Sequence, residues 1–194
     1  MPTITPDSLL SLEEYAKRRP DLRRAAIEKK NIRKIFVGEN VMLQFEDEET
    51  IRYQIQEMLR VEKTFEQEGI REELEAYNPL IPDGHNWKAT MMIEFTDVDE
   101  RQKKLVELKG IERKTYMQVG DLERVYAIAD EDMPRENEEK TSAVHFMRFE
   151  LSHDMIKAVK AGEPVAAGVD HPAYTIHVDE INPQTQASLT QDLH

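Results

Sequence analysis

The chain has 194 residues, of which 39% are hydrophobic and 34% charged, and it contains no cysteine. This length favours a single domain over 1–194. The absence of cysteine excludes disulfides, a thiolate nucleophile, a thiolate-held iron–sulfur cluster and a cysteine-ligated zinc site. The formal net charge of −13 argues against nucleic acid as a partner, because an acidic surface repels phosphate backbones.

No apolar stretch approaches the roughly 18 residues needed to cross a membrane, and the N-terminal sequence lacks the basic start and apolar run of a signal peptide. With the lack of cysteine, these features predict a cytoplasmic protein that does not associate with membranes. The charge is uneven, since residues 1–34 contain nine Lys or Arg against five Asp or Glu. We interpret this basic start as a solvated helical face lying against an acidic body.

The first predicted elements are helical. One helix is expected over 11–18, and after a break at Pro20 a second helix is expected over about 20–30. Two strands follow at 32–37 and 41–46, joined by a short hairpin loop that contains a glycine.

Residues 48–68 form the longest predicted helix, because apolar side chains recur there at helical spacing. Gly69 is expected to end this helix, and a short helix over 70–77 follows before a loop rich in turn residues. The apolar stripe of the long predicted helix consists of Ile51, Ile55, Met58, Leu59 and Phe65.

The second half is richer in strands. Residues 87–95 alternate as a strand that places Trp87 and every second residue on one side, and helices are predicted over 98–109 and 153–161. Because several strands are joined too closely for a parallel crossover, we predict an α+β fold, a largely antiparallel sheet with helices packed on it. Residues 1–10 and about 181–194 are predicted to be flexible. The remaining strand-like segments are 112–119, 123–130, 142–150, 165–170 and 174–178.

A carboxylate falls on the apolar stripe of the long predicted helix. Glu62 is at this position, and burying it costs free energy unless it is paired or binds a cation. Glu57 and Arg60 are three residues apart and can pair along the helix. We favour a structural network of arginine and carboxylate here, and the alternative is a buried clamp for an ion or a substrate.

The segment 144–150, VHFMRFE, mixes apolar and ionisable residues on both faces of a strand. His145 shares one face with two apolar residues and is a candidate ligand or general base, although a lone histidine among apolar neighbours is more often a satisfied core residue. Arg148 and Glu150 share the other face, where the simplest expectation is an ion pair.

Asp170 and His171 lie at a strand end before a proline, a common position for site residues. Neighbouring side chains of an extended chain point apart, so Asp170 is not expected to orient His171, and the simplest interpretation is a turn with an exposed histidine. The acidic loop 130–139 lacks calcium-loop spacing and is interpreted as a solvated loop or a docking surface for a basic partner. The glycine-rich phosphate loop, the G-x-S-x-G elbow and the H-E-x-x-H helix are all missing from the sequence.

Three segments carry a family resemblance: YQIQEMLRVEKTFEQEGIREELEAYNPLIPDG, ADEDMPRENEEKTSAVHFMRFEL and GVDHPAY. They resemble a bacterial, mostly proteobacterial, family of unknown function, and the resemblance covers about 30 to 180. It implies a bacterial cytoplasmic origin. Through the association of the family's genes with those of rubrerythrin-like proteins and iron–sulfur oxidoreductases, it also implies a redox or peroxide-stress context. It implies no catalytic residue.

Three functions remain open. The favoured one is a non-catalytic accessory protein that binds a redox partner, either a rubrerythrin-like protein or an iron–sulfur oxidoreductase. The second is a metal-dependent enzyme or metal-binding protein with hard nitrogen and oxygen ligands for iron, manganese or zinc, taken from Glu57, Glu62, Glu94, His145, Glu150 and His171. The third is a small-molecule sensor in which Arg60 and Arg148 clamp a carboxylate or phosphate. Its candidate ligand-binding residues are Glu57, Arg60, Glu62, Arg148 and Glu150.

If a ligand or metal binds, we expect its pocket between the long predicted helix and the sheet. Glu62 would come from the helix, and His145 or His171 from the strands, so that a carboxylate and imidazoles meet in a medium of low dielectric. The alternative at the same place is a carboxylate paired with Arg60 or Arg148 and no ligand.

Overall fold

The computed structural model describes residues 4–194, which form six α-helices and nine β-strands. The predicted α+β fold with antiparallel strands is confirmed, since every strand pair is antiparallel. No helix of this described range is long and apolar enough to cross a membrane. The helices are α1 (Leu12–Ile32), α2 (Glu48–Glu62), α3 (Gln67–Tyr77), α4 (Val98–Glu107), α5 (His153–Lys160) and α6 (Pro183–Thr190). The strands are β1 (Lys34–Phe36), β2 (Val41–Glu46), β3 (Asn86–Ile93), β4 (Thr115–Val119), β5 (Val125–Tyr126), β6 (Ile128–Ala129), β7 (Val144–Glu150), β8 (Val165–His171) and β9 (Tyr174–Val178).

The N-terminal region is one helix rather than two. The side chain of Ser11 accepts a hydrogen bond from the backbone of Glu14 and caps α1, which then continues through Pro20. Proline removes one hydrogen bond and disturbs the carbonyl four residues earlier, which belongs to Ala16. Both residues are exposed, so water can satisfy the freed carbonyl and the helix tolerates the proline.

The predicted helix over 48–68 is two helices. A capping box of Asp47 and Thr50 starts α2, and Lys63, in the left-handed region with φ of 54°, ends it. The chain then turns back into α3, which contains Gly69 instead of ending before it. The turn lets the apolar faces of both helices join one cluster, whose buried members are Ile4, Ile51, Ile55, Leu59, Leu74 and Ile81.

The strands form two sheets where the sequence predicted one. The larger has the order β1-β2-β3-β7-β6 and the smaller β5-β4-β8-β9. The segment predicted as one strand at 123–130 crosses between them, because Ala127 separates β5 from β6 and its amide bonds to the Thr115 carbonyl at 2.8 Å. At the opposite edges, the Tyr174 hydroxyl donates to the Val37 carbonyl at 2.6 Å and holds β9 against the β1–β2 hairpin.

The main core lies between the two sheets. The predicted alternation in β3 is confirmed, since Trp87, Ala89, Met91 and Ile93 are all buried. They pack with side chains of the smaller sheet in one apolar cluster. The outer face of the larger sheet is covered in part by α1 and α2, because Gln44 donates to the Lys30 carbonyl and Thr50 donates to Glu46.

The chain ends that the sequence predicted to be flexible pack against the rest of the protein over the described residues. Residues 1–3 lie outside them, but Ile4 is buried and its amide donates to Asn78 at 3.1 Å. At the other end α6 packs on the core, where its Leu189 is buried and accepts a hydrogen bond at 2.9 Å from the Trp87 indole. Patterned apolar residues within a polar stretch were enough to anchor this end. The prediction of a single domain over 1–194 stays a prediction.

Candidate functional site

Two cations face each other on the outer side of the larger sheet. Lys88 on β3 and Arg148 on β7 are directly paired in the antiparallel register. Both side chains point away from the core, because their strand neighbours Trp87 and Phe149 point into it. Like charges directly opposite each other on a sheet are unfavourable, so this pair requires nearby anions.

The two cations line a cleft of about 590 Å³ between the α2–α3 pair and the outer face of β3 and β7. Its volume lies in the range of about 300–1,000 Å³ typical of small-molecule sites. Its apolar walls are Met58, Ala76, Pro79, Leu80, Phe146 and Met147. Its polar lining is Glu73, Glu75, Tyr77, Lys88, Glu131, Asp132 and Arg148.

Arg148 is held by two carboxylates. Its guanidinium donates to both oxygens of Glu131, at 2.7 and 3.0 Å, and also bonds Glu150, which confirms the predicted same-face ion pair. The hydrogen bond from Arg148 holds the pKa of Glu131 below its usual value. Glu150 also accepts a hydrogen bond from Asn86 at 2.8 Å. Arg148 is therefore a fixed, oriented fork at one end of the cleft.

Lys88 has no such partner. Its half-buried amine makes no hydrogen bond or ion pair with any of residues 4–194, and desolvation first, then the charge of Arg148, lowers its pKa. Glu46, its register neighbour on β2, directs its carboxylate instead toward the hydroxyls of Thr50 at 2.6 Å and Thr90 at 3.5 Å. The carboxylates of Asp83, Glu131 and Glu150 act on Lys88 only from a distance, so the amine is free to bond an anion in the cleft or to lose its proton.

Glu57 and Arg60, two of the predicted ligand-binding residues, belong to the contact between α1 and α2. Glu57 accepts hydrogen bonds from Tyr15 at 2.6 Å and from Arg19 at 2.7 and 3.1 Å, and Arg60 lies 3.8 Å from it. The hydrogen bond with Arg19 lowers the pKa of Glu57 to about 2. This agrees with the structural network favoured from the sequence, although its arginine comes mainly from α1.

Glu62 is exposed rather than buried on an apolar stripe. Phe65, the last residue of the predicted stripe, lies beyond the end of α2 and is 73% exposed. With about 3.6 residues per turn, Glu62 projects along the same face as Ile51 and Ile55, but it is the last residue of α2, where that face is no longer covered. The early helix end therefore overturns the expected role of Glu62.

His145 is a satisfied core histidine. Its Nδ1 lies 2.6 Å from the Asp130 carboxylate, and its Nε2 lies 3.0 Å from both the Thr141 hydroxyl and the Ser142 carbonyl. Because Asp130 begins the loop that supplies Glu131 to the cleft, and Thr141 and Ser142 end it, this histidine holds both ends of that loop. Asp130 itself adopts a left-handed φ of 54°. Both ring nitrogens are occupied by protein groups.

The predicted metal cluster is not assembled. His171 is buried rather than exposed in a turn, because β8 extends through it and its Nε2 bonds the Lys109 carbonyl at 2.9 Å, while Nδ1 accepts from the Ala173 amide at 3.1 Å. Glu94 is exposed. Within residues 4–194, no three His, Asp or Glu side chains are grouped closely enough to hold a metal ion.

A second polar cluster, absent from the sequence predictions, lies on the outer face of the smaller sheet. The Tyr116 hydroxyl is 2.7 Å from His177 Nδ1, and the Arg124 guanidinium sits 4.2 Å from the centre of the Tyr116 ring. Gly168 is required beneath that ring, since a Cβ there would lie 2.3 Å from the hydroxyl. These groups cover Tyr116, which is buried, and satisfy its hydroxyl, so the cluster has a structural explanation.

The sequence pointed to Arg148 and Glu150 but missed Lys88. Its signal was the one charged residue, a lysine, in the strand WKATMMI. Placing it beside Arg148 also requires the pairing of β3 with β7, which joins residues 60 apart in the chain.

Comparison with known proteins relates the chain to one family and to solved structures. The family model described as "Protein of unknown function (DUF3501)" matches residues 3–193, and no curated protein matches the chain. A crystal structure of a protein of unknown function from Burkholderia pseudomallei K96243 is 50% identical, with a TM-score of 0.94 over 100% of both chains.

Proposed function

Because the chain belongs to the DUF3501 family of unknown function, as the resemblance in its sequence predicted, we propose a function from the cleft itself: the protein binds a small organic monocarboxylate there. The observation that carries the proposal is the unpartnered, half-buried Lys88 directly opposite Arg148, in a cleft with apolar walls. The proposal keeps the anion-binding idea of the small-molecule sensor and replaces Arg60 with Lys88.

A bound carboxylate would relieve the unfavourable feature of the cleft. It would neutralise Lys88 and accept hydrogen bonds from a guanidinium that Glu131 and Glu150 already orient. Charge-assisted hydrogen bonds of this kind are stronger than neutral ones. The apolar walls would bury the carbon chain of the ligand, at roughly 25 cal/mol per Å² of apolar surface removed from water.

The lining of the cleft also sets the charge of the ligand. Glu73, Glu131 and Asp132 face the same space as the two cations, so a ligand with two or more negative charges would meet repulsion at the rim. A carboxylate carries a single charge, whereas a phosphate monoester carries nearly two near neutral pH. We therefore place carboxylates ahead of phosphates.

Isothermal titration with hexanoate tests the proposal, with hexan-1-ol as the neutral control of equal chain length. We expect hexanoate to bind the wild-type protein and Lys63→Met, whose lysine is exposed outside the cleft. We expect Lys88→Met and Arg148→Met each to weaken hexanoate binding at least tenfold, the effect of losing about 1.4 kcal/mol. Equal binding of hexanol, or unchanged binding by Lys88→Met, would overturn the proposal.

A second candidate function is the non-catalytic accessory role, in which the protein docks on a basic partner. Two large apolar side chains stand out of the surface where α2 ends, Val61 at 64% and Phe65 at 73% exposure. Their neighbours Glu62, Glu66 and Glu68 are exposed acids. An apolar patch with a mainly acidic rim, in which Lys63 is the one exposed cation between Val61 and Phe65, is typical of a site that binds a complementary protein surface.

The resemblance implies a redox partner in the cytoplasm, either a rubrerythrin-like protein or an iron–sulfur oxidoreductase. We propose that this partner docks on the patch, and the acidic charge of the patch is what supports the proposal. Binding of the purified partner to wild type and to Phe65→Ser tests it. We expect the variant and high salt each to weaken the complex. No complex at low salt, or one indifferent to Phe65→Ser, would reject this surface. The metal-dependent alternative has no grouped ligands within residues 4–194 to support it.

A further inference from the structure

We infer that Lys88 is a nucleophilic amine that forms an imine with a 2-keto acid held in the cleft by Arg148. The inference rests on the proposed carboxylate site and names its ligand class more narrowly. It stands on three observations: the pairing of Lys88 with Arg148 across β3 and β7, the cleft in front of both, and the absence of any anion in contact with the amine within residues 4–194.

The register supplies the geometry. Side chains directly opposite each other on antiparallel strands start from Cβ atoms about 4.5–5.5 Å apart. In a 2-keto acid the carbonyl carbon is bonded directly to the carboxylate. A carboxylate bound at the Arg148 guanidinium therefore places its carbonyl carbon next to the neighbouring side chain, which is Lys88.

The environment of Lys88 supplies the reactivity. Only the neutral amine attacks a carbonyl, and a lysine becomes nucleophilic when it is desolvated or placed beside another cation. Both conditions hold, because burial and the charge of Arg148 lower the pKa of Lys88. Carboxylates hold other lysines as ammonium ions: Lys29 lies 3.0 Å from Asp47, and Lys104 lies 2.7 Å from Glu107.

The step balances without any oxidant or reductant. The lone pair of Lys88 Nζ forms a bond to the keto carbon, the carbonyl π electrons move to oxygen, and a proton passes from nitrogen to that oxygen to give a carbinolamine. Loss of the hydroxyl with one further proton releases water and leaves the C=N bond. The proton for the departing water comes from solvent, and Glu73, which lines the same cleft, is placed to relay it.

Reductive trapping tests the inference. The protein is incubated with 2-oxohexanoate and sodium cyanoborohydride, and the adduct is located by peptide mass spectrometry. We expect labelling of Lys88 to be roughly tenfold or more faster than labelling of Lys29 or Lys104, because the cleft holds carbonyl and amine together. Arg148→Met should slow the labelling of Lys88 by 2-oxohexanoate, but not by the neutral ketone hexan-2-one.

The Lys88→Arg variant separates this inference from the proposed function. It keeps a cation that can bind hexanoate but has no amine that can form an imine. If wild type binds hexanoate and Lys88 is labelled no faster than the exposed Lys17, the imine inference fails and the carboxylate site stands. If hexanoate does not bind, the site and the imine inference both fail.

Discussion

Arg33 and Lys88 are both withdrawn from solvent, and their surroundings differ in kind. Arg33 is 1% exposed and donates to the carbonyls of Phe45 at 3.3 Å, Glu46 at 3.0 Å and Ser188 at 3.1 Å, and to the carboxylate of Asp192 at 2.5 Å. Lys88 donates to no group among residues 4–194. The hydrogen-bonding groups of Arg33 are therefore satisfied by the protein, whereas the amine of Lys88 is not.

The difference separates a structural charge from a functional one. A guanidinium stays charged in any protein environment and needs every partner that it has. An amine can lose its proton, or it can wait for an anion that the protein does not supply. A buried cation therefore does not by itself mark the functional site of this protein. A buried cation without a hydrogen-bonding partner does.

The largest effect is expected from removing the saturated cation. Arg33→Met leaves the Asp192 carboxylate buried and unpaired, so we expect the free energy of unfolding to fall by about 3–5 kcal/mol. Urea titration should be done at pH 8, where Asp192 is ionised, because burial raises its pKa to about 6. Arg24→Met is the matched control, since Arg24 is 70% exposed. A loss below about 1 kcal/mol, the value for surface pairs, would contradict the structural role of Arg33.

The next largest effect is expected at His145, and it tests whether this buried histidine holds the loop that carries Glu131 along the cleft. His145→Leu removes the partner of Asp130 Oδ2, while Oδ1 keeps Arg135 and the Phe146 amide, and an unsatisfied buried polar group costs about 1–3 kcal/mol. We expect a lower melting temperature and faster amide exchange in the loop that carries Glu131, with no change in α1. His153→Leu, at an exposed position, is the control. Uniform protection of that loop in His145→Leu would show that other contacts hold it.

The ion pair of Glu57 with Arg19, between α1 and α2, should contribute less to the free energy of unfolding than Arg33 or His145 does. Its contribution should also depend on pH. Because the folded pKa of Glu57 is about 2, below its ordinary value of 4.5, its contribution is present above pH 4.5 and is lost as the pH falls through 2. We expect Glu57→Gln to cost about 1 kcal/mol at pH 7, with solvent screening the pair. The difference in free energy of unfolding between Glu57→Gln and wild type, measured by urea titration, should shrink toward pH 2. Glu62→Gln, exposed on the same helix, should show neither the cost nor the pH dependence.

The smallest effect on stability is expected at the unpartnered cation. Lys88→Met removes a desolvated charge that faces Arg148, so the free energy of unfolding should stay within about 1 kcal/mol of wild type or rise. Chemical denaturation measures this directly. A loss comparable to that of Arg33→Met would mean that Lys88 is a structural charge after all, and the contrast between the two cations would disappear.

Strand patterns were the most predictable part of the fold. The alternation that buries Trp87 and the one that buries His145 and Phe149 were both confirmed, because a period of two is a local property of the sequence. The division into two sheets was not predictable in the same way. It depends on the crossing at Ala127 and on pairings between distant strands.

The predicted site failed where a local pattern was extended too far. The helical stripe that placed Glu62 in the core required the helix to continue beyond it, but left-handed Lys63 ends the helix and leaves Glu62 exposed at its last residue. A left-handed residue that is not glycine carries little sequence signal. Arg148 and Glu150 were placed correctly because they are two residues apart on one strand. Lys88 was missed because its neighbour Arg148 is remote in sequence.

The anchoring of α6 sets the order in which the protein can be completed during synthesis. Arg33 is buried by Ser188 and Asp192, which follow it by 155 and 159 residues, and the Trp87 indole is satisfied by Leu189. Until residues 183–193 have been translated, the nascent chain carries an exposed guanidinium and an open apolar core. Since chains grow by about 5–20 residues per second, we expect the first 180 residues to remain open to chaperones and proteases for most of the time needed to make them.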